Sequence, residues 1–211
     1  GLGLGVAAVA VLAHRFLGIA WSFDVGAGVL LSACVGLVAI VLSDAVVHGF
    51  LALVAGGAYL DTFDALVEYY RGQSPRAVLA GGFLAAAEEL LFRGVFLEGL
   101  LQQTSVPAPL SVFLVALLFG AAHYAPERGP RQMALWAVLE GVILGGLLVV
   151  TGSLLVPLAV HALHDVLGFS LFASEELDYD FYESIMIGAG IQIPSIVTVF
   201  AEFNLLFGYT T

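Results

Sequence analysis

Long apolar runs, broken at irregular intervals by short polar stretches, dominate the chain. They fall at about 1–21, 25–43, 45–60, 76–101, 108–124, 132–150, 153–173 and 184–208. A straight helix needs about 20 apolar residues to cross the hydrocarbon core of a bilayer, and these runs reach or approach that length. Membrane-spanning strands would instead alternate apolar and polar residues over about ten positions. The pattern predicts an all-α fold, a polytopic membrane helix bundle of about eight transmembrane helices whose backbone groups are satisfied within each segment. No long-period repeat and no linker divides it, so residues 1–211 are expected to form a single membrane domain.

The breaks carry turn and cap chemistry. The stretch "RGQSPR" at 71–76 places a proline where a helix starts. "TSVPAP" at 104–109 and "APERGP" at 125–130 are proline-rich stops. "TGS" at 151–153 offers a glycine stop followed by Ser153 as a helix cap. Residues 61–70, "DTFDALVEYY", are short and amphipathic, and are expected to lie along the membrane interface. "SEELDYDFYES" at 174–184 is an acidic, solvated loop.

Composition supports a bilayer as solvent. The chain is 61% hydrophobic and 11% charged, against about 45–50% and about 25% for a soluble domain. All six basic residues are arginine, and seventeen acids bring the formal net charge to −11. That balance argues against a nucleic-acid partner, and acidic surplus without lysine fits adaptation to high salt. The single cysteine, Cys34, has no intramolecular partner and sits among apolar neighbours, as an inert buried thiol would. Arg71 and Arg76 precede the fourth run and Arg128 and Arg131 follow the fifth. Two crossings separate these loops, so they share a side, which the positive-inside rule makes cytoplasmic.

Against this background, "AAAEELLFRG" at 85–94 stands out. An ionised group at the centre of a membrane helix costs about 2.5–3.5 kcal/mol on insertion scales. Arg93 follows Glu89 by four residues and lies almost over it, so those two can pair. Glu88 points about 100° away and is left without a partner in its own helix. A purely structural charge network would leave Glu88 unexplained. His123 ends the fifth run in "FGAAH", with Phe119 one turn earlier on the same face. In "HALHD", His161 and Asp165 share a face, and His164 lies about 60° from His161. Three segments thus bring ionisable groups inward, as an acid–base site between helices requires.

Two reactions suit these residue types. In one, Glu88 activates water as a general base with His123, and His161, with Asp165 nearby, hydrogen-bonds the oxyanion formed at a carbonyl. In the other, His123, His161 and a glutamate bind zinc, which activates the water. No HExxH helix supports the metal reading. No G-x-S-x-G or Cys–His arrangement suggests a covalent nucleophile. Glu140 is a candidate for contact with the groups around the site. Glu98 is expected at headgroups or a partner side chain, His14 and Arg15 near the end of the first segment, and His48 in packing or at the interface. Gly141, Gly145 and Gly146 are expected to permit close helix contact.

"EELLFRG" (88–94), "FGAAH" (119–123) and "HALHD" (161–165) resemble, in order, the three motifs of the CAAX protease and bacteriocin-processing family. This family of intramembrane glutamate proteases includes the type II CAAX prenyl endopeptidases and the Abi proteins. Its pattern is Glu-Glu-x-x-x-Arg, Phe-x-x-x-His and His-x-x-x-Asn, and the resemblance covers about 76–173. It implies an intramembrane endopeptidase that hydrolyses a peptide bond of a membrane-anchored peptide or protein, prenylated CAAX-type substrates being one class. Glu88 and His123 would activate water, and His161 and residue 165 would stabilise the oxyanion. Glu89, Arg93, Phe119 and His164 would support them. No cofactor is expected, with zinc as the less favoured alternative. The departure is Asp165, where the family has asparagine. An amide donates to an oxyanion and an ionised carboxylate repels it, so Asp165 is protonated, or orients His161, or weakens activity. Two other function classes stay open: a catalytically silent member that binds a membrane protein, and a proton-coupled transporter using the same carboxylates. The expected location is the plasma membrane of a prokaryote, with the site open to the cytoplasm.

Overall fold

The structure, a computed structural model, describes residues 2–55, 71–124 and 131–173. Among these residues every regular element is helical: α1 (Leu2–Leu17), α2 (Ala27–Ala55), α3 (Pro75–Leu91), α4 (Ala108–Ala122), α5 (Arg131–Thr151) and α6 (Leu155–Ala173). α3 runs on through a π-helical turn, Phe92–Leu97, into a short α-helical end, Glu98–Gln103. Six helices therefore stand where about eight were expected, and the difference has two sources. The amphipathic stretch 61–70, the acidic loop 174–184 and the segment 184–208 lie outside the described residues, as does the loop 125–130. The runs 25–43 and 45–60 are joined through Asp44, the residue that separated them, into the single helix α2. Asp44 does not break the helix because its carboxylate is buried and satisfied from two neighbouring helices, by Trp136 Nε1 at 2.5 Å and His164 Nε2 at 2.6 Å. At 1.5 Å rise per residue α2 is about 43 Å long.

The breaks mostly behave as their chemistry dictates. Ser74 caps α3, its Oγ accepting the Ala77 N–H at 3.3 Å, with Pro75 at the first helical position. Gly152, at φ +65°, ends α5 in the left-handed conformation that glycine adopts without strain. Ser153 departs from the expectation. Its hydroxyl donates to the Asp24 carbonyl at 3.0 Å and so ties the segment before α2 to the start of α6, rather than capping α6.

Helix contacts run α3 on α6 and α1, α4 on α5, and α2 on both α5 and α6. Small residues let them close up: Gly82 faces Val166 and the Ala162 carbonyl of α6, Gly120 the Ala134 carbonyl and Val138 of α5, and Gly141 the Ala116 backbone of α4. Gly145 abuts Val112, whereas Gly146 meets nothing within 4 Å. Phe92, Leu97, Val112, Phe119, Leu148 and Leu154 form the main apolar cluster.

Ionisable side chains share the apolar interior, and large apolar side chains cover much of the outside. Glu89, Arg93, Glu140 and His161 are buried, while Leu2, Phe16, Leu31, Val46 and Val150 are exposed. Cys34 is also exposed on α2, not buried as its neighbours suggested. Ionisable side chains inside and large apolar ones outside is the arrangement that a hydrocarbon solvent selects. Two stretches, Ala27–Val47 and Ala134–Thr151, are long and apolar enough to cross a membrane, and three shorter apolar helices accompany them.

Candidate active site

α3 presents two adjacent glutamates to different surroundings. Glu89 and Arg93 have no exposed side-chain surface, and Arg93 Nη1 donates to Glu89 Oε1 at 2.6 Å. Arg93 also donates through Nη2 to the Gly141 carbonyl of α5 at 3.2 Å, and its guanidinium carbon lies 4.5 Å from the Phe119 ring centre on α4. One side chain thus ties three helices together. Arg93 is the second residue of the π-turn, a feature that often accompanies functional sites and has no signal in "FRGVFL".

Glu89 was expected to pair with Arg93 alone. Its Oε1 also lies 2.8 Å from His161 Nδ1. A carboxylate oxygen already receiving the arginine is an acceptor, so Nδ1 carries a hydrogen and donates it. The other ring nitrogen, Nε2, is thereby aimed at Asp165 Oδ1 (3.9 Å) and Glu140 Oε1 (3.8 Å). His161 was also expected to converge with Glu88. Its Nδ1 is bonded to Glu89, and His161, Asp165, Glu89 and Arg93 are the electrostatic neighbours of Glu88.

Glu88 and His123 form the accessible half of the site. Their side chains retain 22% and 32% exposure, and His123 Nε2 lies 3.7 Å from Glu88 Oε2. His123 ends α4 as its C-terminal cap, and its Nδ1 is 2.8 Å from the Phe119 carbonyl. A carbonyl only accepts, so in the neutral ring Nδ1 holds the hydrogen and Nε2 presents a lone pair toward Glu88. Phe119 stands between the two halves, fully buried, with its ring centre 4.3 Å from that of His123 and 5.7 Å from that of His161.

His164, about 60° round the helix from His161, turns Nε2 to α2, at 2.6 Å from Asp44 Oδ2, and its Nδ1 faces Asp165 Oδ1 at 3.4 Å and Glu140 Oε1 at 3.5 Å. Glu140, weighed as a neighbour of the site, is buried beside both histidines of α6. Asp44 was not read as a site residue at all. The signal was present: a lone acid in an apolar run is a functional candidate, but it served only to divide that run. Among the described residues, no group of three or more His, Cys, Asp or Glu side chains is arranged to hold a metal ion. Glu98, half-buried, accepts from Gln102 Nε2 at 2.7 Å, and His14 stacks on Trp21 at 4.0 Å between ring centres. The side chain of His48 lies outside the described residues.

The family model for type II CAAX prenyl endopeptidase Rce1-like proteins matches residues 71–167, just under half of the chain. Neither a curated protein nor a solved structure matches the chain. The matched segment holds α3, α4, α5 and most of α6, and with them Glu88, Glu89, Arg93, His123, His161 and Asp165. Helices built for a hydrocarbon solvent and a segment that carries these side chains in this order agree with each other: residues 71–167 are similar to the type II CAAX prenyl endopeptidase Rce1-like family.

Proposed function

We propose that the protein is an intramembrane endopeptidase that hydrolyses a peptide bond of a membrane-anchored substrate, with water activated by Glu88 and His123 and no metal ion in the reaction. The observation that carries this reading is the Glu88–His123 pair: two acceptor atoms 3.7 Å apart, both partly accessible. That separation is too long for a direct hydrogen bond and suits one water that donates a hydrogen to each. Glu88 takes the proton as the water oxygen attacks the substrate carbonyl, and returns it to the leaving amine as the bond breaks. His161, anchored at Nδ1 by Glu89, offers Nε2–H to the developing oxyanion. Arg93 and Glu89 hold the helix that carries Glu88 and so set the distance to His123.

The test is cleavage of a peptide panel by purified protein in liposomes, comparing farnesylated CAAX-type peptides with unprenylated apolar ones. Wild type is expected to cleave at least one, Glu88→Gln to cleave it about 10²–10⁴-fold more slowly, and exhaustive chelation is expected to leave the rate unchanged. Activity that vanishes on chelation and returns with added zinc refutes the metal-independent mechanism. A wild type inert on every peptide favours the silent binding partner.

The site opens to the arginine-bearing side, which we take as cytoplasmic. His123 ends α4 next to Tyr124, on the side where α3 begins with Arg76. A Tyr124→Cys, Cys34→Ser protein is expected to react with an impermeant thiol reagent from the cytoplasmic face of inverted vesicles. Reaction from the outer face alone overturns this orientation.

A further inference from the structure

The oxyanion position in this mechanism lies off His161 Nε2, and two carboxylate groups face that nitrogen. Asp165 Oδ1 is 3.9 Å and Glu140 Oε1 is 3.8 Å from it. Left uncompensated, both would repel a negative charge developing there. Besides His161 itself, His164 meets both, its Nδ1 lying closer, at 3.4 Å from Asp165 Oδ1 and 3.5 Å from Glu140 Oε1. Glu140 Oε1 and His164 Nδ1 are buried and make no hydrogen bond among the described residues. The opposite nitrogen of His164 is held by Asp44 Oδ2 at 2.6 Å, and Asp44 is fixed in turn by Trp136 Nε1 at 2.5 Å. A ring flanked by carboxylates at both nitrogens carries hydrogens at both, and a histidine with two N–H groups is a cation. The groups facing it are Asp44 from α2, Glu140 and Trp136 from α5, and Asp165 from its own helix.

Resting on the proposed mechanism, we infer that Asp44, on a helix outside the family-matched segment, is a positioning residue: it holds His164 as an imidazolium that offsets the Asp165 and Glu140 carboxylates beside the oxyanion site. Asp44 touches neither of the water-activating groups and acts through His164. In hydrogen-bonding terms Asp44→Asn is a mild change. The asparagine oxygen can still accept from Trp136, and its amide can donate to His164 Nε2, which then becomes an acceptor. The ring keeps its place and loses its charge, so the variant separates charge from shape.

The experiment compares wild type, Glu88→Gln, Asp44→Asn, Asp165→Asn and the Asp44→Asn/Asp165→Asn double variant on whichever panel peptide wild type cleaves. A hydrogen bond to a charged group is worth about 10–100-fold. Asp44→Asn is therefore expected to lower kcat by about that factor with KM unchanged. The double variant is expected to recover to within about threefold of Asp165→Asn alone, since removing one of the repelling carboxylates removes much of the need for the cation. Wild-type kcat in Asp44→Asn overturns the inference. So does a double variant as slow as Asp44→Asn, or a failure of both to fold, either of which makes Asp44 a packing residue only. Undiminished activity in Glu88→Gln, or none in wild type, sinks the mechanism instead, and a second readout then decides the charge assignment by itself. Trp136 lies 6.0 Å from His164 between ring centres, and an imidazolium quenches indole emission. In a Trp21→Phe background, Asp44→Asn is expected to brighten Trp136 and abolish the pH dependence of its emission. Unchanged emission overturns the assignment.

Discussion

Glu88 and Glu89 are neighbours in the chain and belong to opposite regions of the molecule. Glu89 is sealed, with one oxygen held by Arg93 at 2.6 Å and His161 at 2.8 Å. Glu88 keeps part of its surface open, and its nearest basic atom, His123 Nε2, stands off at 3.7 Å. A turn of about 100° between consecutive helical residues is enough to send one carboxylate into a charge clasp and to leave the other partly exposed. The clasp is sealed from solvent, while Glu88 and His123 leave accessible acceptor atoms for water. The lesson is that in a membrane protein a fully buried charge marks function less clearly than a partly accessible one does.

The sharpest way to break this comparison is to exchange the charges one at a time. Glu88→Gln is expected to cut turnover by about 10²–10⁴-fold, the usual worth of a general base, with no change in melting temperature. Equal turnover in wild type and Glu88→Gln would transfer the base role to another group and dissolve the contrast. Arg93→Ala is expected to do the reverse in kind. Removing one partner of a buried ion pair costs about 3–5 kcal/mol, and here it also removes the bond to Gly141 and the contact with Phe119. The readout is thermal unfolding in detergent, with loss of a monodisperse species. Wild-type thermal stability in Arg93→Ala would mean that His161 alone satisfies Glu89.

Much of this division was legible before any coordinates, because it depends on helical arithmetic alone. Spacing of four paired Glu89 with Arg93, and spacing of one turned Glu88 away. Contacts that join helices carried no such signal. The bond from His161 to Glu89, the placing of Glu140 beside both α6 histidines and the Asp44–His164 pair each depend on which faces meet, and periodicity within one segment is silent on that. Asp44 misled for a related reason. An acid in an apolar run looks like a break until its partners are known, and its partners sit about a hundred residues downstream on α5 and α6. The π-turn that carries Arg93 is also invisible in sequence, since Phe92–Leu97 contains neither proline nor a polar cluster.

The finest test moves away from charge to the scaffold that holds it. Three glycines of α5 were expected to serve close packing, and the structure separates two of them. A methyl group at Gly141 would meet the Ala116 Cα and Cβ of α4 at 3.0 Å, while one at Gly146 would meet nothing within 4 Å. The Gly141 carbonyl is also the acceptor for Arg93 Nη2, so any shift of α5 there is felt in the clasp. Backbone of a neighbouring helix cannot yield as a flexible side chain can, so Gly141→Ala must push α4 and α5 apart. Overpacking of this kind costs about 1–3 kcal/mol, and because α4 ends in His123, the push should also lengthen the gap to Glu88 and slow cleavage. Gly146→Ala adds a methyl group to an open face and removes backbone freedom from the unfolded chain, for a gain of about 0.5–1 kcal/mol and no change in rate. Thermal unfolding and cleavage rates measured side by side on the two variants check both halves. Equal destabilisation by both substitutions would mean that α5 has a close neighbour at Gly146 as well, and that helix spacing around the site is set by more than the α4–α5 contact.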